Sequence, residues 1–193
     1  MATHTLLLQR QKEYKDVPPA KAGGKVEDAT IGKGILFKND EPDKILWDGV
    51  SCENGGPSTT KRGSDKRILA RTYQLRWSSS GVNGGLTRAF PKWLVSSKDC
   101  PVKITDGTTG ANVVLWTTCK EDKEHAGRRV HIHSGIHPNH TESCVLFAEV
   151  DNKNGTTSQS AKSINALFNE VAKIGVENID FIIKEIEDKQ WKK

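Results

Sequence analysis

Apolar and polar residues alternate in short runs along most of the chain, and this period of two is typical of half-buried β-strands. In the run at residues 68–77, for example, Tyr73, Leu75 and Trp77 fall on one face. The pattern predicts strands at residues 6–14, 30–37, 44–50, 68–77, 102–116 (two short strands), 129–133, 144–150 and 178–187. Turn residues at 39–43 separate the second and third runs, which predicts a hairpin there.

One late segment follows the helical period instead. Residues 160–174 carry apolar side chains at helical spacing, namely Ile164, Leu167, Phe168, Val171 and Ile174. Gly175 is a favoured stop for this helix. Candidate caps for its start are the hydroxyls of Thr157, Ser158 and Ser160. We therefore expect a mainly-β (α+β) fold, a single β-sandwich or barrel-like domain with one late amphipathic helix.

No repeat and no strong linker divides the 193 residues, which are enough for one hydrophobic core. We assign residues 1–29 to an N-terminal segment, 30–187 to the domain and 188–193 to a polar tail. The N-terminal segment ends in a breaker rich in proline and glycine at 17–24. It is interpreted either as an edge strand or as a docking segment.

Composition and charge limit the cell compartment and the partners that we expect for this domain. No run approaches the ~20 apolar residues of a membrane helix. The first residues lack the basic start and apolar stretch of a secretory signal, so we expect a protein made in the cytoplasm, with no membrane span. The net charge of +5 suits an anionic polymer, either nucleic acid or murein. The arginines do not alternate with aromatic residues as stacking platforms would, so we expect no nucleic-acid partner.

The four cysteines are Cys52, Cys100, Cys119 and Cys144. None forms a C-x-x-C pair, which argues against a zinc knuckle or a thioredoxin-type site. A disulfide between two of the first three stays open if the protein works outside the cytoplasm.

Candidate chemistry concentrates at residues 128–144, where His131, His133, His137 and His140 precede Cys144. A cysteine nucleophile needs an imidazole beside it and backbone N–H groups to receive an oxyanion. His131 and His133 share one strand face, and a turn can return Cys144 to them. In this interpretation the N–H groups of Ser143 and Cys144 form the oxyanion hole.

Two other interpretations compete with a nucleophile. His-x-His is a frequent zinc-binding fragment, which Cys144, His137, His140 or Glu142 could complete. Alternatively, the histidines belong to a surface loop and Cys144 is a small buried hydrophobic residue. The spacing of the residues leaves all three interpretations open.

The segments 133–135, His-Ser-Gly, and 141–146, Thr-Glu-Ser-Cys-Val-Leu, add a resemblance. They resemble a small domain family associated with phages and secretion, without assigned function, whose pattern is His-x-Gly-Asn and then Thr-Glu-Gly-Cys-Ile-Leu. That pattern is in turn similar to the catalytic motif of the L,D-transpeptidases. Residues 68–75 and 89–91 resemble further segments of the family, and the likeness spans residues 30–186.

The resemblance implies roles for individual residues. Cys144 matches the nucleophile and His133 its base, with His131 as the second candidate. The carbonyl of Ser134 would orient the base. The resemblance implies no metal and no cofactor. Substrate contacts are expected from Tyr73, Arg129, Thr141 and Glu142.

The implied activity is acyl transfer on the stem peptides of peptidoglycan, ending in a crosslink, an exchanged stem or a trimmed stem. Without an export signal, such an enzyme needs delivery to the periplasm or cell wall of a target cell, by a type VI-like secretion apparatus or as a phage tail component. A cognate immunity protein would then protect the producer. The alternatives are a non-catalytic structural or binding module of such a machine and a zinc-dependent murein hydrolase.

Three residues depart from the family pattern. Ser143 stands where glycine is favoured, which predicts a narrower oxyanion hole or an unusual backbone angle. Ile136 replaces an asparagine and Arg71 a glycine. His133 and Cys144 are closer in sequence than in the transpeptidases, so the loop between them is short. These departures predict a weakened or retuned enzyme.

Overall fold

The computed structural model describes residues 1–80 and 112–187, and its dominant feature is a closed eight-stranded barrel. The barrel strands are β1 (His4–Val17), β2 (Glu27–Lys38), β3 (Glu41–Asn54), β4 (Thr72–Ser80), β5 (Asn112–Thr118), β6 (His131–His133), β7 (Val145–Ala148) and, last in the chain, β10 (Ile179–Lys184). Their order around the barrel is β1-β10-β4-β5-β6-β7-β3-β2. The mainly-β, barrel-like domain predicted from the sequence is thereby confirmed.

Two of the neighbouring strand pairs run parallel, β1 with β10 and β6 with β7. In the second pair Ile132 lies opposite Val145. Parallel neighbours place their N-terminal ends at the same edge of a sheet. His131 and Cys144, which precede these two residues, therefore lie side by side at one end of the barrel.

The late helix α2 (Ser160–Ile174) has the predicted bounds and packs its apolar stripe onto the residues that line the barrel. The rings of Trp77 and Phe168 meet edge to face with centroids 5.4 Å apart. Trp47 Nε1 donates to the carbonyl of Ser163 at 3.2 Å. Burial of each large apolar side chain stabilises the fold by about 1.5–3 kcal/mol, so this contact fixes the helix on the barrel.

Only the C-terminal end of α2 agrees with the capping predicted from the sequence. Gly175 has φ 89° and donates its N–H to the Val171 carbonyl, as a helix stop does. The predicted hydroxyl cap at the start is wrong, because the first flanking residue is Gln159 and no side chain caps it. The Ser160 hydroxyl instead donates to the Phe147 carbonyl at 2.6 Å and accepts the Gly135 N–H at 2.8 Å. It ties the helix to β7 and to the loop after β6.

Smaller elements fill the connections. They are the helix α1 (Lys123–Arg128), the hairpin of β8 (Val150–Asp151) with β9 (Thr157–Ser158), and two 3-10 turns at Pro138–His140 and Val176–Asn178. The helix α1 was not predicted, because it is too short to show a helical period in the sequence. The predicted strands within residues 102–111 lie outside the described residues. The strand predicted from residue 68 begins at Thr72.

The predicted division at residue 29 does not coincide with a structural boundary. β1 pairs with β2 along one edge and with β10 along the other, and its Leu6 and Leu8 are fully buried in the core. The strand β1 of the N-terminal segment therefore belongs to the barrel, because its pairing with both β2 and β10 closes the sheet. The polar tail at 188–193 lies outside the described residues. Within the part of the chain that is described, no helix is both long and apolar enough to cross a membrane.

Cys52 and Cys119 are free thiols, so they do not form a disulfide with each other. Cys100 lies outside the described residues.

A buried ion pair occupies the barrel interior at the end where Cys144 lies. Arg10 and Glu53 form two hydrogen bonds, of 2.7 and 2.9 Å, and both side chains have zero exposure. Arg10 also donates to Glu185 at 2.9 Å and to the Ile68 carbonyl at 2.7 Å. Arg67 adds an ion pair to Glu185 at 3.1 Å. The charges are matched by hydrogen bonds, as buried ions require.

Candidate active site

Cys144 lies immediately before β7, and its thiol is half-buried beside β6. The backbone N–H of His131 donates to Cys144 Sγ at 3.3 Å. The hydroxyl of Thr141 donates to the Cys144 carbonyl at 2.9 Å. The thiol is therefore held between two strands by backbone and side-chain contacts.

The ring of His133 is the imidazole that meets this thiol. His133 is 8% exposed, and its Nδ1 lies 2.8 Å from the Ser134 carbonyl. A carbonyl only accepts, so this contact places a proton on Nδ1 and leaves Nε2 as the basic nitrogen. The predicted orienting role of the Ser134 carbonyl matches this geometry.

The two side chains shift each other's protonation. Burial raises the pKa of Cys144, but the hydrogen bond and charge of His133, together with the His131 N–H and Thr141, outweigh it and leave the pKa below its usual 9.0. Burial lowers the pKa of His133, but the Cys144 hydrogen bond and charge and the Ser134 carbonyl leave it above its usual 6.5. Both shifts favour a thiolate paired with an imidazolium.

Ser143 takes the unusual backbone angle that its position predicts. Its φ is 89°, in the left-handed region where glycine is favoured, and the residue is 3% exposed. Its N–H donates to Asn54 Oδ1 at 2.8 Å. Of the two N–H groups predicted for the oxyanion hole, that of Ser143 is therefore already hydrogen-bonded.

Asn54, the last residue of β3, is a site residue that the sequence analysis missed. It is 1% exposed, and its Nδ2 lies 3.2–3.3 Å from acceptors on Glu27, Asp65 and Pro138. With its contact to Ser143, it fixes both ends of the turn that precedes Cys144. In the sequence it reads as an ordinary turn residue before Gly55-Gly56, because its partners are distant along the chain.

His137 and His140 lie in the turn between β6 and β7, where their rings bind backbone groups. His137 Nδ1 accepts the Asn139 N–H at 3.1 Å, so its Nε2 carries the proton and donates to the Pro18 carbonyl at 2.7 Å. His140 Nδ1 accepts the Ile136 N–H at 3.3 Å. Among residues 1–80 and 112–187, no three His, Cys, Asp or Glu side chains converge as metal ligands would.

The connection between β1 and β2 covers this turn. Besides the Pro18 contact, the Ala20 N–H donates to Asn139 Oδ1 at 3.2 Å and Asn139 Nδ2 donates to the Lys25 carbonyl at 3.0 Å. The breaker segment therefore supports the site from outside.

The four predicted substrate contacts divide into two groups. Arg129 and Glu142 are exposed, and the Arg129 guanidinium lies 5.9 Å from the ring centroid of Trp116. Thr141 is 6% exposed and positions Cys144. Tyr73 is fully buried in the core and donates its hydroxyl to the Leu69 carbonyl at 2.8 Å. As placed, Tyr73 offers no surface to a substrate, because its ring fills the barrel.

The departures from the family pattern have structural counterparts. Ile136 is 43% exposed, so nothing in the fold demands an apolar residue there. Arg71 forms an ion pair with Asp122 and donates to the Tyr73 hydroxyl at 3.3 Å. Gly135 belongs to the shared pattern, and a Cβ there would meet Leu146 Cδ1 at 2.7 Å, so a larger residue would force the Leu146 side chain to shift.

Comparison of the chain with protein-family models, with curated proteins and with solved structures finds no match. A function can therefore be inferred only from the geometry of the site and from the motif residues themselves.

Proposed function

We propose that the protein is a cysteine acyltransferase or peptidase that acts on the stem peptides of peptidoglycan, in the manner of an L,D-transpeptidase. The observation that carries the proposal is the thiol of Cys144 held against the ring of His133, whose Nδ1 is in turn fixed on the Ser134 carbonyl at 2.8 Å. Nucleophile, base and orienting group are the three parts that thiol acylation needs.

The reaction follows from these positions. The Cys144 thiolate attacks a stem-peptide carbonyl, the C–S bond forms, and the scissile C–N bond breaks as the imidazolium of His133 protonates the leaving amine. In the second half, His133 takes a proton from the acceptor, which is an amine or water, and the acceptor displaces the thiolate. The Cys144 N–H is the proposed oxyanion donor, joined by that of Ser143 only when the Asn54 contact opens.

The proposed setting is delivery into the cell wall of a target bacterium by a contractile secretion apparatus, or use as part of a phage particle. A cognate immunity protein in the producer belongs to the first setting. The net charge of +5 favours approach to anionic murein.

Digestion of purified sacculi tests the activity. The wild-type protein is expected to change the muropeptide profile seen by mass spectrometry, whereas Cys144→Ala leaves it as in untreated sacculi. Cys119→Ser is the matched thiol control, because Cys119 lies on another strand end and contacts Glu121 instead of a histidine. Identical profiles for wild type and Cys144→Ala would contradict the proposal.

A non-catalytic module is the second candidate, and one observation favours it: Asn54 already takes up the Ser143 N–H. In that case Cys144 would be labelled by a thiol probe at neutral pH no faster than Cys119, and sacculi would be bound without being cut.

A further inference from the structure

Arg128, the last residue of α1, holds a donor without a partner close to the nucleophile. One nitrogen of its guanidinium, Nη1, donates to the carbonyl of Thr59. The other, Nη2, is shielded from solvent and has no hydrogen-bond partner in the described part of the chain. The neighbouring Arg129 is exposed, so the two arginines differ sharply in their surroundings.

The position of Arg128 follows from the strand arrangement. Arg129 and Val130 connect Arg128 to β6. Thr117 of β5 donates its N–H to the Val130 carbonyl at 2.9 Å, which fixes this connection next to β5. His131, the next residue, touches Cys144 Sγ with its N–H. Because β6 and β7 run parallel, the chain before β6 and the chain before β7 emerge at the same end of the barrel. Arg128 and Cys144 both lie at that end.

A shielded guanidinium nitrogen without an acceptor is unfavourable, since its lost contact with water is not replaced. Burial correspondingly lowers the pKa of Arg128, while the charges of Tyr73, Asp122 and Cys144 raise it and that of Arg71 lowers it. Asp122 does not complete the pair, because its carboxylate binds Arg71 and caps α1. Among the described residues, Nη2 is therefore left without an acceptor.

We propose that Arg128 Nη2 forms a carboxylate-binding subsite beside Cys144, which selects acyl donors that carry a free carboxylate near the scissile carbonyl. This inference rests on the proposed function and deepens it. A single free nitrogen on a guanidinium fixed at Thr59 suits one carboxylate oxygen, whereas a phosphate calls for several donors. Stem peptides offer two such carboxylates, the terminal one of the leaving residue and a side-chain one on the acyl residue.

Competing alkylating reagents test the subsite without any substrate. Iodoacetate and iodoacetamide form the same C–S bond with Cys144 and expel iodide, but only iodoacetate carries a carboxylate. The ratio of the second-order rate constant for iodoacetate to that for iodoacetamide is expected to fall about fivefold in Arg128→Met, because the nearby cation no longer attracts the anionic reagent. Arg128→Lys keeps the charge and is expected to retain most of the ratio.

Arg62→Met is the matched control, because Arg62 is an exposed arginine in the same loop as Thr59. It removes the same net charge and is expected to change the ratio less than twofold at 0.15 M salt. An equal change in Arg128→Met and Arg62→Met, or no change in either, would overturn the subsite. Thermal melting of each variant separates loss of the subsite from loss of the fold.

The assay also separates this inference from the proposed function. Slow reaction of wild-type Cys144 with neutral iodoacetamide at pH 7 contradicts the activated thiolate, whatever the ratio. A fast reaction with an unchanged ratio in Arg128→Met contradicts only the subsite. Stem peptides amidated at one carboxylate or the other then show which of the two Arg128 selects. Amidation of the selected carboxylate is expected to lower kcat/KM in wild type but not in Arg128→Met.

Discussion

At the scale of single residues, the contact between Cys144 and His133 is expected to set the reactivity of the Cys144 thiol. We expect the pH midpoint for alkylation of Cys144 by iodoacetamide to lie below the usual thiol value of 9.0, because His133 favours the thiolate. In His133→Ala the midpoint is expected to rise, because burial then opposes only the remaining contacts of the thiolate with the His131 N–H and Thr141. Rates of mass-labelled alkylation between pH 5 and 10 measure it.

His131 provides the comparison for this prediction. Its contact with Cys144 Sγ is made by its backbone N–H, which survives a side-chain substitution. His131→Ala is therefore expected to keep the midpoint near that of wild type. A shift as large as that of His133→Ala would mean that the base has been assigned to the wrong histidine.

Ser143 gives a second prediction at this scale. A residue with a side chain at φ 89° is strained relative to glycine, by about 1–2 kcal/mol. Glycine also gains freedom in the unfolded chain, so Ser143→Gly is expected to stabilise the protein by only about 0.5–1 kcal/mol. Urea denaturation measures the change. Ser143→Ala, which keeps the Cβ, should bring no such gain, and equal effects of both variants would contradict the argument.

The sequence brings the proposed nucleophile and base together in one motif, but it does not reveal the residues that support them. Cys144 and His133 are eleven positions apart, and motif spacing captures pairs of that kind. Asn54 meets Ser143 across 89 positions of sequence. Arg128 is recognised only by a nitrogen that lacks an acceptor. Neither property leaves a local pattern, because both depend on how distant strands are brought together.

At the scale of elements, the turn that precedes β7 depends on its attachment to the end of β3. Asn54→Ala removes the acceptor for the Ser143 N–H and the donor to the Pro138 carbonyl. We expect a loss of about 1–3 kcal/mol of unfolding free energy, since buried polar groups lose their partners. We also expect slower alkylation of Cys144, because the turn no longer holds it against β6.

Asn152 offers the control for Asn54. It lies exposed in the β8–β9 hairpin, where its Nδ2 donates to the Thr156 hydroxyl at 3.0 Å. Asn152→Ala is expected to leave the alkylation rate of Cys144 unchanged and to cost at most about 0.5 kcal/mol. If Asn54→Ala behaved in the same way, Asn54 would not be a positioning residue.

Alternation located most described strands, but it did not give their directions. The run at 129–133 and the run at 144–150 are adjacent in the barrel, yet they pair in parallel over a short connection. A period of two is the same for parallel and antiparallel strands, so the side-by-side placement of His131 and Cys144 depends on the parallel pairing of β6 with β7, which the sequence does not specify.

At the scale of the whole molecule, the buried pair of Arg10 and Glu53 joins β1 to β3 inside the barrel. Glu53→Gln is expected to lose about 3–5 kcal/mol, because it removes the buried anion and leaves Arg10 with only the partly exposed Glu185 as a charged partner. The double variant Arg10→Met with Glu53→Leu is expected to lose far less than the sum of the losses in the Arg10→Met and Glu53→Leu single variants. Urea unfolding of the four proteins gives the coupling.

An exposed pair gives the reference for that experiment. Lys15 and Asp28 are 2.7 Å apart, but the Lys15 side chain is 66% exposed. Lys15→Met is expected to change the unfolding free energy by less than about 1 kcal/mol, since water and salt screen the pair. Additive losses in the Arg10 and Glu53 variants would contradict the role assigned to the buried pair.

The parallel contact between β1 and β10 has a consequence for the timing of folding during synthesis. His4 lies opposite Ile179, so the first barrel strand to leave the ribosome completes its ladder only with the last one. At about 5–20 residues per second, β1 waits roughly ten seconds or more with one unpaired edge. An unpaired edge is open to strands of other chains. The nascent protein is therefore most exposed to misassembly, and least able to present Cys144 in a closed barrel, while it is still being translated.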